Sequence, residues 1–206
     1  MKKPTRVIVY IAGILTLALG TVLFTKSHMG VSATVSVPYT LSLITPLSLG
    51  MCTTFVYAAF VILELLLYQK MEWKVVLQIP FSFLYGYVID FYDYLIRINP
   101  SHLVSRISCM ICAIVATSLG VAMMVKGDYI VNPPAGIIQA LGQVIKKDYG
   151  ITKRNFDLAM VVFSGLVGFM ASGKVLGIGI GTVVAVFAIG TLIRFFDKHF
   201  LSQLLC

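Results

Sequence analysis

Residues Ala18–Thr45 read ALGTVLFTKSHMGVSATVSVPYTLSLIT, and 100 positions later Ser118–Ile145 read SLGVAMMVKGDYIVNPPAGIIQALGQVI. Gly20 falls on Gly120, Lys26 on Lys126, Val31 on Val131 and Leu41 on Leu141. In both copies an apolar helix ends in a lysine, runs into a Gly/Ser/Pro/Asn break and resumes as a short apolar segment. An offset of 104 continues the match, with Gly86 on Gly190, Ile89 on Ile193, Phe91 on Phe195 and Asp93 on Asp197. A repeat of this length decides the reading of the whole chain.

Outward from that stretch, the composition is that of a membrane protein. The 206 residues are 59% hydrophobic and 12% charged, against about 25% charged in soluble domains. Crossing a hydrocarbon core of roughly 30 Å takes about 20 apolar residues. Six runs qualify, near 7–25, 51–68, 75–96, 104–125, 156–172 and 176–196. The stretch 27–49 is too apolar for an exposed turn and too interrupted to span. Non-helical backbone at membrane depth needs protein or a wet cavity around it, so a short re-entrant or interfacial helix is expected there. In the second copy Pro133 and Pro134 suit a helix start, and Ile137, Ile138, Leu141, Val144 and Ile145 follow at helical spacing. The fold expected is an all-α polytopic membrane protein. It forms one membrane domain over 1–206, with three-helix repeats over 1–100 and 101–206, each broken after its first helix. Three spans per half, an odd number, set the two repeats in inverted orientations.

The net charge of +8 follows topology better than a nucleic-acid partner, since no basic stripe with interleaved aromatics occurs. Lys2, Lys3, Arg6, Lys70, Lys74, Lys126, Lys146, Lys147, Lys153, Arg154 and Lys198 fall on one side. Lys26, Arg97, Arg106 and Lys174 fall on the other. That bias places both termini in the cytoplasm, and the N-terminal segment reads as an uncleaved first helix.

Ionisable residues inside the spans are the functional candidates, because each costs several kcal/mol at membrane depth and faces a partner or a wet cavity. They are Asp90, Asp93, Asp157 and Arg194. Glu64, four residues before Tyr68, is expected to reach solvent at the helix end. Asp90 and Arg194 match in the 104 register with opposite charges. At 1.5 Å per residue they belong in opposite leaflets, so Lys26 or His28 is expected beside Asp90, and Asp157 or Asp128 beside Arg194. Each could instead anchor a helix end by snorkelling. Ser164, Gly168 and Ser172 form a small-residue face for close packing.

Three other patterns carry no chemistry. Cys109 and Cys112 have redox spacing but lie in an apolar span, and four cysteines in all imply no disulfide framework. Gly168–Val175 mimics a phosphate loop except that Val175 stands where Ser or Thr must hold magnesium. His28, His102 and His199 are scattered. No metal, no cofactor and no enzymatic activity are expected.

Gly181-Thr182-x-x-Ala185-x-x-x-Gly190-x-x-Ile193-x-Phe195, the first-half counterpart Gly86-x-x-Ile89-Asp90-Phe91, and the Gly30-Val31-Ser32 and Val131-Asn132-Pro133 breaks resemble the YczE/YyaS/YitT family of small bacterial membrane proteins. The resemblance covers nearly the whole chain. The chain departs from that pattern at Ala33, where proline is usual, and in lacking the acidic or amide residue usual after the first break. The resemblance implies the fold and a surmised role in transport. Inverted repeats with broken helices are a recurring transporter design, so the expected function is a small secondary transporter or channel in the bacterial cytoplasmic membrane. It would move a small polar, anionic or zwitterionic solute past Ser32, Asn132 and Pro133, with Lys26, Asp90, Asp157 and Arg194 along the pathway. The alternative is an accessory protein that docks a membrane-associated partner on the basic 146–154 loop. The bilayer and a small solute are the expected partners, with homo-oligomerisation left open.

Overall fold

A computed structural model describes residues 3–69, 72–127 and 129–201. Lys2, Lys70, Asp128 and Cys206, which entered the charge and cysteine readings, lie outside them. The described residues are helical, without strands. The helices are α1 (Lys3–Ser27), α2 (Ala33–Ile44), α3 (Leu49–Tyr68), α4 (Trp73–Val76), α5 (Gln78–Leu95), α6 (Leu103–Gly127), α7 (Pro133–Ile145), α8 (Tyr149–Ser172) and α9 (Ile180–Phe196), the last running on into a π turn, Asp197–Leu201.

Among the described residues six helical stretches are long and apolar enough to cross a membrane: Pro4–Ser27, Leu49–Tyr68, Trp73–Leu95, Leu103–Gly127, Tyr149–Ser172 and Ile180–His199. Their outer faces carry Leu63, Phe83, Met170 and Phe187 exposed, as side chains facing lipid require. Two limits differ from expectation. The fifth span starts at Tyr149 instead of residue 156, because Asp148 accepts from Gly150 N and caps an earlier start. Lys153 and Arg154, read as loop, therefore sit in its first turns. The sixth starts at Ile180 instead of residue 176, because Gly177 takes a positive φ of 71° and the segment ahead of Gly179 stays non-helical.

The breaks do hold short helices. At 12 and 13 residues, α2 and α7 are roughly 18–20 Å long, too short to span. Pro133 and Pro134 occupy the first turn of α7, where a missing N–H costs nothing. Gly30, in the first break, has φ of 105°, a conformation that L side chains avoid.

Two compact units result: Met1–Ser32 with Phe91–Tyr129 and Gly179–Cys206, and Ala33–Asp90 with Ile130–Ile178. Each draws elements from both halves of the sequence. In the first, α1 packs on α6 through small residues. A Cβ at Gly120 would fall 2.5 Å from Leu17 N, one at Gly13 2.9 Å from Met124 N, and one at Gly127 2.7 Å from Tyr10 Cβ, while Gly20 lies against Thr117. As α1 descends from residue 20 to 10, its partner on α6 rises from 117 to 127, so the two helices are antiparallel. Backbones this close leave no room for a side chain. Arg106 ties the far end, donating from Nε to Ser27 O at 3.1 Å and also reaching His28 O.

In the second unit α3 and α5 form an antiparallel pair. Gly50 meets Gly86, Thr54 Oγ1 lies 3.2 Å from Ser82 O, and the rings of Tyr57 and Tyr85 stack at 5.7 Å. Helix α2 runs parallel to α8, Ser36 lying at Met160 and Thr40 at Ser164.

Candidate functional site

The second unit concentrates polar side chains inside its membrane-spanning helices. On α3, residues 57, 60 or 61, and 64 share one face at helical spacing. On α5, residues 78, 81 or 82, and 85 do the same. The two faces meet. Tyr57, Phe60, Phe81 and Tyr85 form a run of aromatic contacts with neighbouring centroids 5.7–6.1 Å apart, and at its end Gln78 Nε2 donates to Glu64 Oε2 at 3.1 Å. Glu64 is 3% exposed and Gln78 2%. The expectation of a solvated Glu64 is therefore wrong. The side chain points across to α5 and α7 instead of along its helix to the interface.

The third wall is the first turn of α7. A Cβ at Gly136 would collide with Glu64 Oε2 and fall 2.9 Å from Gln78 Nε2, so a side chain there would push this pair aside. Ordinarily the start of a helix such as α7 offers free N–H donors. Here this turn offers none: Pro133 and Pro134 have no N–H, and those of Ala135 and Gly136 donate back to Asn132 O at 2.8 and 3.0 Å. What remains is acceptors. Gln78 Oε1 and Asn132 Oδ1 are buried and find no hydrogen-bond partner among the described residues.

A second polar contact mirrors this one. Ser164 Oγ donates to Ser36 O at 3.0 Å and lies 2.7 Å from Thr40 Oγ1, which is 3.2 Å from Leu176 O. In the 100-residue register residue 36 corresponds to 136 and 164 to 64. The contact Ser36·Ser164 thus becomes Gly136·Glu64, and both exist. Gly20·Thr117 likewise becomes Gly120·Leu17. In the first of these two correspondences the chemistry differs: hydroxyls in one contact, a carboxylate and an amide in the other.

The residues singled out from sequence have separate fates. Ser32 is buried at 8% exposure in the first break and belongs to the first unit. Asn132 precedes α7 in extended conformation without a side-chain cap bond, and Pro133 follows it. Lys26 and His28 lie in the first unit and Asp90 in the second. Its carboxylate accepts from Ser48 Oγ at 2.6 Å and Gly50 N at 2.7 Å, so it caps α3, whose first N–H groups need acceptors. Lys26 instead pairs with Asp93 at 2.8 Å, and His28 Nε2 lies 3.0 Å from Asn99 Oδ1. Asp157 lies in the second unit and Arg194 in the first. Arg194 is exposed, its Nε donating to Gly190 O at 3.3 Å on its own helix, and Asp128, its other expected partner, lies outside the described residues. Asp157, 5% exposed, takes Lys153 at 2.7 Å one turn back, which withdraws Lys153 from the basic loop.

Glu64 and Gln78 were missed as a site. Their signal was present: the register sets Glu64 opposite Ser164, already placed on a close-packing face. Cys109 is buried, its Sγ 3.3 Å from Leu23 O, and Cys112 faces outward, so the pair has no shared site. Among the described residues no group of three His, Cys, Asp or Glu could hold a metal ion.

A family model described as "Family of unknown function (DUF6198)" matches residues 4–198. No curated protein and no solved structure matches the chain.

Proposed function

We propose a function for a chain that belongs to this family of unknown function, DUF6198, a membership that assigns kinship and no activity. The protein is a small transporter or channel for a polar solute, with the polar contacts of α2·α8 and α3·α7 lining the path. One observation carries the reading: Glu64 and Gln78 are buried inside membrane-spanning helices against the start of a helix too short to span. A carboxylate buried within a membrane span is costly to keep charged, and a purely structural helix pair has no use for it.

The antiparallel α1 and α6 and the exchangeable contacts support an inverted-repeat arrangement, with both termini in the cytoplasm and the site at the repeat interface. The resemblance to YczE/YyaS/YitT proteins agrees with this reading. The acceptor-rich α7 end favours a positively charged group, and a zwitterion would present its ammonium there.

The test is uptake of labelled amino acids, amines, organic acids and thiols by proteoliposomes holding the purified chain. At least one solute should accumulate above protein-free vesicles, and Glu64→Gln should reduce that uptake about tenfold or more. If folded protein moves none of them, while neutralising Lys146, Lys147 and Arg154 releases a bound membrane partner, transport gives way to the docking role.

A further inference from the structure

We propose that Glu64, Gln78 and the first turn of α7 form a binding site for a monovalent cation, metal ion or proton, which serves as the coupling ion. Its role rests on the transport reading, but its existence rests on geometry alone. The two side chains share one hydrogen bond, Gln78 Nε2 to Glu64 Oε2 at 3.1 Å, and that bond leaves Gln78 Oε1 buried and unpartnered beside the carboxylate. Glu64 forms no ion pair among the described residues.

The neighbours supply no neutralising charge. Helix α7 brings Pro133 to Ile138, with no ionisable side chain and no uncommitted N–H in its first turn. Its dipole contributes the equivalent of about half a positive charge, less than the whole charge of a carboxylate. Helix α2 carries only Tyr39. Helix α8 brings Phe156 against Phe60 at 5.4 Å, and its Asp157 already holds Lys153. Tyr68 on α3 and Glu72 ahead of α4 are the titratable groups coupled to Glu64, and neither carries positive charge. An anion would meet a carboxylate and the orphan oxygen of Gln78. A small cation meets ligands.

The experiment uses the detergent-purified full chain. Its unfolding temperature is measured as choline is replaced by lithium, sodium, potassium or ammonium at constant ionic strength, and then along a pH series in choline. A ligand that binds only the folded protein stabilises it in proportion to the logarithm of its concentration. The wild type should be stabilised by one metal ion or ammonium if that is the occupant, or by acid alone if the occupant is a proton. Glu64→Gln should lose that response. Gln78→Leu, which keeps the carboxylate, should need about tenfold more of a metal ion or ammonium, or should displace the acid response to another pH if the occupant is a proton, and it decides the matter if Glu64→Gln fails to fold. An unresponsive wild type, or an equal response in the variants, overturns the site. A specific response without flux of any solute leaves the cation site standing and overturns transport.

Discussion

At the residue scale, a carboxylate takes its role from what lies across from it. Asp90 and Asp93 are three residues apart on α5, yet one caps α3 through Ser48 and Gly50 and the other pairs with Lys26. Capping is worth about 1 kcal/mol, up to about 2. Asp90→Ala should lower stability by that amount, whereas Asp90→Asn, which keeps an acceptor, should lose far less. Denaturant titration of the two purified variants checks this, and equal losses would remove the capping role. The ion pair expected for Asp90 failed because sequence shows which charges are available and not which backbone donors compete for them. Glu64 failed for a related reason. Its distance from the helix end suggested an escape to water, but the rotamer it takes leads to Gln78 and Gly136.

At the scale of elements, packing is carried by small residues more than by large ones. Lipid is as apolar as leucine, so helices associate by backbone approach, and α1 and α6 do so at Gly13, Gly20, Gly120 and Gly127. Gly120→Leu should drive Leu17 away and cost about 1–3 kcal/mol by overpacking. Gly190, with nothing near a Cβ there, should accept alanine with little change in unfolding temperature. If the two substitutions are equally harmful, the antiparallel contact is not what holds the pair. The breaks, the proline start of α7 and the six long helices were all legible, because hydropathy and the Gly/Pro code act locally. The boundaries at 149 and 180 were not, since a cap and a positive-φ glycine each move a helix end by several residues.

At the scale of the molecule, the correspondence of Ser36·Ser164 with Gly136·Glu64 is the feature with most consequence. These two contacts join corresponding positions through different side chains. In the inverted arrangement we propose, the N-terminus and the C-terminus lie on the same, cytoplasmic face. Reporters fused before Met1 and after Cys206 should give the same signal, and opposite signals would break the inverted repeat. The sequence alone determined that this chain is an all-helical membrane protein with two interrupted helices, because the length and apolarity of a span are properties of contiguous residues. Only the tertiary structure decided that Glu64 is buried against Gln78 and Gly136, that Asp90 is a cap, and that the start of α7 offers oxygens instead of N–H groups. The physical reason is that solvation and pairing of a polar group are set by residues distant in the chain, whose approach depends on how the helices pack.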